Sequence, residues 1–193
     1  SGQIMTVGFD AKRHAGARPV LGEANGYQHL WVDADSEPSA ESRSLSWLLD
    51  GRFYTYRFGA SAPSRAILAE SGANDPEFNL RREPVLIQRV EGQADATFFA
   101  VLEPHGRYDG TAETVHGADS RIRAIAHARG GDADVVVLRL ASGGTLALGV
   151  ADDPAPQRGH RVVADGESYE WTGAWARLER PVPAAADDDE DRR

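Results

Sequence analysis

Apolar and polar residues alternate with a period of two through most of this chain, and clusters of Gly, Asp, Asn, Pro and Ser interrupt the alternation. No long segment keeps the 3.6-residue spacing of an amphipathic helix, so the pattern predicts short strands joined by turns. Residues 27–33 read as a strand. Residues 44–49 and 52–58 form the clearest hairpin, because Asp50-Gly51 between them is the dipeptide favoured in type I′ turns. On its second arm Arg52, Tyr54, Tyr56 and Phe58 share one face, and Phe53, Thr55 and Arg57 the other.

After a short apolar piece at 66–69, residues 72–83 read as a loop, since Asn74-Asp75-Pro76 favours a turn. Two apolar strands follow at 84–90 and 96–102, and the second, Thr97-Phe98-Phe99-Ala100-Val101-Leu102, has the composition of a central strand covered on both faces. Two more hairpins join 135–140 to 145–150 across Ser142-Gly143-Gly144, and 161–164 to 168–171 across Asp165-Gly166. The expected fold is all-β, an antiparallel β-sandwich domain over residues 1–180. Residues 181–193, rich in Pro, Ala and charge, form an acidic tail expected to be disordered.

The N-terminal end adds to this picture. The sequence lacks an initiator Met and opens in a strand at residues 3–9, as expected of a piece of a longer polypeptide; Ser1-Gly2 as an expression scar on a self-sufficient domain is the alternative.

Composition narrows the function. Net charge is −9, and the run Asp187-Asp188-Asp189-Glu190-Asp191-Arg192-Arg193 holds part of it, leaving −6 elsewhere. An acidic chain is a poor nucleic-acid binder, although a local arginine cluster can still hold an acidic sugar. There is no Cys, so disulfides and thiolate chemistry are excluded. No apolar run approaches the roughly 20 residues of a membrane span.

Chemistry-bearing residues concentrate in two places. The histidines at 14, 29, 105, 116, 127 and 160 form no closely spaced zinc motif, and no Gly-x-Ser-x-Gly elbow or phosphate-binding glycine loop is present. Polar groups instead crowd the loop carrying Asn74, Asp75, Asn79, Arg81, Arg82 and Glu83, and the turn Glu103-Pro104-His105-Gly106-Arg107-Tyr108. Pairing of 84–90 with 96–102 as one hairpin would bring both to the same end. Arginine forks suit sugar carboxylates, and His or Tyr can move protons when suitably tuned. Loop bracing by Asn74, Asp75 and an Arg82–Glu83 pair, with His105 and Tyr108 merely ending a strand, is the structural alternative.

The same segments carry a family resemblance. Gly26-Tyr27-Gln28-His29-Leu30-Trp31, the run from Asn74 to Pro84, Leu102-Glu103-Pro104-His105-Gly106 and Tyr169-Glu170-Trp171-Thr172-Gly173 resemble, in that order, the C-terminal region of the oligoalginate lyases of the heparinase II/III-like group. The resemblance runs to about Leu178 and leaves out the acidic tail. It implies an exolytic β-elimination on alginate oligosaccharides that leaves an unsaturated uronate, in a cleft between an N-terminal helical toroid and antiparallel sheets. The Asn-His pair and catalytic Tyr it implies have no counterpart here and would sit in the missing toroid, with any structural zinc in the upstream region. This chain then carries no catalytic residue and no cofactor. Arg81, Arg82, Glu103, His105, Tyr108, Asn74 and Asn79 are the expected substrate contacts in one wall of the cleft. A periplasmic or secreted location and a homo-oligomer are also compatible with it.

Two other roles stay open at this point. In a stand-alone carbohydrate-binding sandwich, exposed members of Trp31, Trp47, Trp171 and Trp175 would stack on sugar rings, although most Trp residues belong in a core. A subunit-interface element without sugar contact is the other.

Overall fold

The computed structural model describes residues 5–19, 30–72, 82–153, 155 and 157–182, and for residues 5, 15–19, 72 and 82 the backbone alone. Residues 27–29, the loop from 73 to 81 and the tail from 183 onward, on which several expectations fall, lie outside the described residues. Among those described there are sixteen strands and no helix. Contacts group the chain into two compact units, Ser1–Leu49 with Thr55–Val101, and Asp50–Tyr54 with Leu102–Arg193.

The first unit is a sandwich of two four-stranded sheets. One has the order β1 (Met5–Val7), β4 (Arg43–Leu49), β5 (Arg52–Ala60) and β8 (Phe98–His105), and the other β2 (Lys12–Pro19), β3 (Leu30–Asp35), β6 (Ser64–Gly72) and β7 (Arg82–Val90). Asp50 and Gly51 both take positive φ, 50° and 72°, which is the type I′ backbone that the sequence predicts between β4 and β5. Leu45 and Phe58 from the first sheet pack with Ala34, Ala66 and Leu68 from the second, as alternation requires of two facing sheets.

Two expectations are corrected here. The strands at 84–90 and 96–102 do not pair. β7 runs antiparallel to β6 from Ser64↔Val90 to Gly72↔Arg82, whereas β8 is the last strand of the other sheet. The run at 97–102 is also not a doubly covered central strand. β8 is an edge strand whose Phe98, Ala100, Leu102 and Pro104 are exposed, while Glu103 and His105 on the alternate face are buried. Its inward Phe99 lies against Gly59, where an added Cβ would come within 2.6 Å of the ring.

The second unit is built on a four-stranded sheet in the order β11 (Ile122–Gly130), β12 (Ala133–Leu140), β13 (Thr145–Ala151) and β16 (Trp175–Arg180). The hairpin of β14 (Gly159–Ala164) and β15 (Glu167–Thr172) packs on one face of it. Asp165 and Gly166 again both have positive φ, 53° and 81°, at its turn. Ala133, Val135, Val137 and Ala147 of the sheet close over Val162, Ala164, Tyr169 and Trp171 of the hairpin. Trp171 fits because residue 149 is Gly: a Cβ there would stand 2.9 Å from the indole. A small hairpin, β9 (Arg107–Asp109) with β10 (Thr114–His116), completes the unit.

Candidate functional site

The turn singled out in the sequence becomes the base of the β9–β10 hairpin. Three of the expected contact residues, Glu103, His105 and Tyr108, come together there.

Glu103, at 5 % exposure, is braced on every side. Its carboxylate accepts from the Ser120 hydroxyl (2.6 Å), Arg121 Nε (2.9 Å) and the Arg121 backbone N–H (3.3 Å). Burial pushes this carboxyl upward, but the Ser120 and Arg121 hydrogen bonds outweigh it and hold the group below the ordinary carboxylate range. Glu103 thus ties the end of β8 to the start of β11.

His105 performs a similar task for the hairpin. Its Nδ1 donates to the Gly117 carbonyl (3.0 Å), and its ring stacks on Phe53 with centroids 6.1 Å apart. Between His105 and β9, Gly106 takes φ 48°, and a Cβ there would lie 2.0 Å from the Gly117 carbonyl oxygen. Only glycine allows that approach. The two ends of the hairpin are therefore pinned together from behind.

What the hairpin presents outward is polar and aromatic. Arg107 pairs across the ladder with His116, Tyr108 with Val115, and Asp109 with Thr114. Directly opposed residues share a face, so Arg107, His116, Asp109 and Thr114 line one side, and Tyr108 and Val115 the other. All are exposed, Tyr108 at 37 %. The Tyr108 backbone N–H donates to the Gly51 carbonyl (2.7 Å), so the type I′ turn also anchors this strand. Asp109 Oδ1 accepts from the Thr111 and Ala112 N–H groups (2.9 and 3.1 Å), which hold its carboxyl below the usual range and order the turn. Buried Glu103 and His105 set the position of the hairpin, which exposes Arg107 and His116 on one side and Tyr108 on the other.

The remaining expected contacts lie elsewhere. Arg82 begins β7 in the other unit, with its backbone opposite Gly72 and its side chain undescribed. Asn74, Asn79 and Arg81 lie outside the described residues. Arg107 and His116 were not among the expected contacts. Their pairing is a matter of register, and a sequence shows register only where a two-residue turn fixes it.

Two further features bear on chemistry. The first unit contains an open hollow of about 560 Å³ lined by Asp33, Trp47, Tyr56, Glu70 and Leu86 among others, whose two carboxylates oppose an acidic ligand. Among the described residues no three His, Asp or Glu converge as metal ligands. His14, His127 and His160 instead face Asp35, Asp134 and Asp132 at 2.8, 2.7 and 3.4 Å.

Comparison with known proteins gives a consistent direction. The model of the C-terminal domain of exo-oligoalginate lyase-like proteins matches residues 140–176. The chain is 66 % identical over 180 residues to an alginate lyase of Stenotrophomonas maltophilia (strain K279a), covering 93 % of this chain and 24 % of that protein. It is 41 % identical over 176 residues to an exo-oligoalginate lyase of Saccharophagus degradans (strain 2-40), covering 90 % of this chain and 24 % of that one. The chain therefore spans about a quarter of the length of these relatives.

Proposed function

We propose that this chain, similar to the C-terminal domain of exo-oligoalginate lyase-like proteins, supplies one wall of the substrate cleft in a lyase that shortens alginate oligosaccharides by β-elimination. The observation that carries the reading is the similarity over nine-tenths of the chain to two alginate-degrading lyases four times as long. The braced β9–β10 hairpin, with Tyr108 exposed on it, supports the reading.

In this reading the hairpin contacts the sugar chain through Tyr108, whose ring offers an apolar face and whose hydroxyl can bond a sugar oxygen. Arg81, Arg82, Asn74 and Asn79 remain proposed uronate contacts, since a guanidinium can grip a carboxylate with two parallel bonds. Glu103 and His105 act by holding the hairpin in place. With both of its oxygens engaged behind the surface, Glu103 positions rather than reacts. The elimination itself belongs to residues upstream, and release of monomer from chain ends is part of the proposal.

The test uses this chain and the longer protein that carries it. The longer protein should release unsaturated uronate monomer from the earliest turnovers, and this chain alone should release none. Turnover by this chain alone would refute the accessory role. Products of many lengths at early times would refute the exolytic part.

A further inference from the structure

One face of the β11-β12-β13-β16 sheet packs on the β14–β15 hairpin, and the opposite face divides in two. Register places Ile125 opposite Leu138 toward β11, and both are buried. Toward β16 the same face opens. Leu148 lies opposite Arg177, and Val150 opposite Trp175, with exposures of 43 % for Leu148, 46 % for Val150 and 66 % for Trp175. Trp171, by contrast, is buried in the core. Single exposed apolar residues are ordinary, but a Trp beside two aliphatic residues on an edge strand makes a contiguous patch, and such patches mark contact surfaces.

The charges beside the patch decide the kind of partner. Arg129 is paired with both Asp134 and Asp152, and Arg177 with Glu179. Each of these two guanidiniums is already ion-paired, so neither is left over for an acidic sugar. An apolar centre with an ion-paired rim is instead the anatomy of a protein interface, where Trp is a frequent anchor.

We propose that this patch is covered by the upstream part of the parent protein. The occupant follows from length: each relative carries about three quarters of its chain outside the region matched here, a body large enough to seat on this face. The inference rests on the reading of this chain as one part of a longer lyase. It adds where that part docks.

Hydroxyl-radical footprinting with mass spectrometry, on this chain and on the longer protein at several concentrations, tests it. Trp175 should be oxidised readily in this chain and be protected in the longer protein at concentrations where that protein is monomeric. Equal oxidation of Trp175 in both proteins would overturn the proposal. Protection in this chain alone that rises with its concentration would assign the patch to a second copy and overturn it as well. An active lyase with an unprotected Trp175 fails this inference alone, whereas a protected Trp175 in a protein inert toward alginate oligosaccharides fails the lyase reading alone.

Discussion

Replacing Glu103 tests the brace behind the hairpin. Glu103→Ala removes an acceptor shared by three donors. The Arg121 guanidinium has a side chain 79 % exposed, so water takes over and its share of the loss is small. The Ser120 hydroxyl can fall back on the Ile122 carbonyl, 3.0 Å away. The Arg121 backbone N–H loses its bond to a charged acceptor, and such bonds are worth about 1.5–3 kcal/mol. The expected cost is about 2–3 kcal/mol, which for a chain of this size lowers Tm by about 4–12 °C. Glu103→Gln keeps an acceptor and should cost about half as much. The pH dependence follows in sign: a carboxyl held below its unfolded range stabilises the fold above the unfolded pKa, and that stability is lost as pH falls through the folded value. Calorimetry from neutral to acid pH should therefore show the wild type and Glu103→Gln converging as the solution becomes acidic. A Tm for Glu103→Ala within about 1 °C of wild type, where about 2–3 kcal/mol is expected, would refute the brace.

Other expectations are as direct. Gly51→Val places a β-branched residue at φ 72° with its Cβ 3.0 Å from the Tyr108 carbonyl oxygen, and should cost about 1–2 kcal/mol in denaturant titrations. Gly149→Ala drives a methyl group into the Trp171 indole and should cost about 1–3 kcal/mol, with a changed near-ultraviolet circular dichroism signal from that Trp. Truncation after residue 182 should leave stability within about 0.5 kcal/mol, as for a surface change away from packed features; a larger loss would show that the tail docks.

Local turn chemistry made much of the fold legible. Asp50-Gly51 and Asp165-Gly166 specify their hairpins because two consecutive residues must take positive φ, which few dipeptides tolerate. Strands β11 and β16 were not legible. In β11 the register shifts between Ile122 and Ala124, which breaks the period, and β16 interleaves charges with its inward Ala176 and Leu178. The run at 97–102 misled for a different reason: an apolar stretch does not say whether both of its faces are covered. At the site, the crowding of polar groups near Glu103 and His105 was visible. That Glu103 turns back toward Ser120 and Arg121 depends on the chain returning to it at residues 120–121, a tertiary event.

If the hairpin lines a cleft for alginate oligosaccharides, as proposed, kinetics of Tyr108→Ala in the longer protein will show it. Tyr108 is half-exposed, so its side chain can be removed with little effect on folding, checked by Tm. Positioning toward the reacting geometry affects kcat as well as KM, whereas uniform binding affects KM alone. Elimination, followed by the ultraviolet absorbance of the unsaturated product, should show kcat/KM lowered by about 10- to 100-fold, the worth of losing one good contact to the sugar. Wild-type kcat and KM in a folded Tyr108→Ala protein would contradict the cleft-wall account.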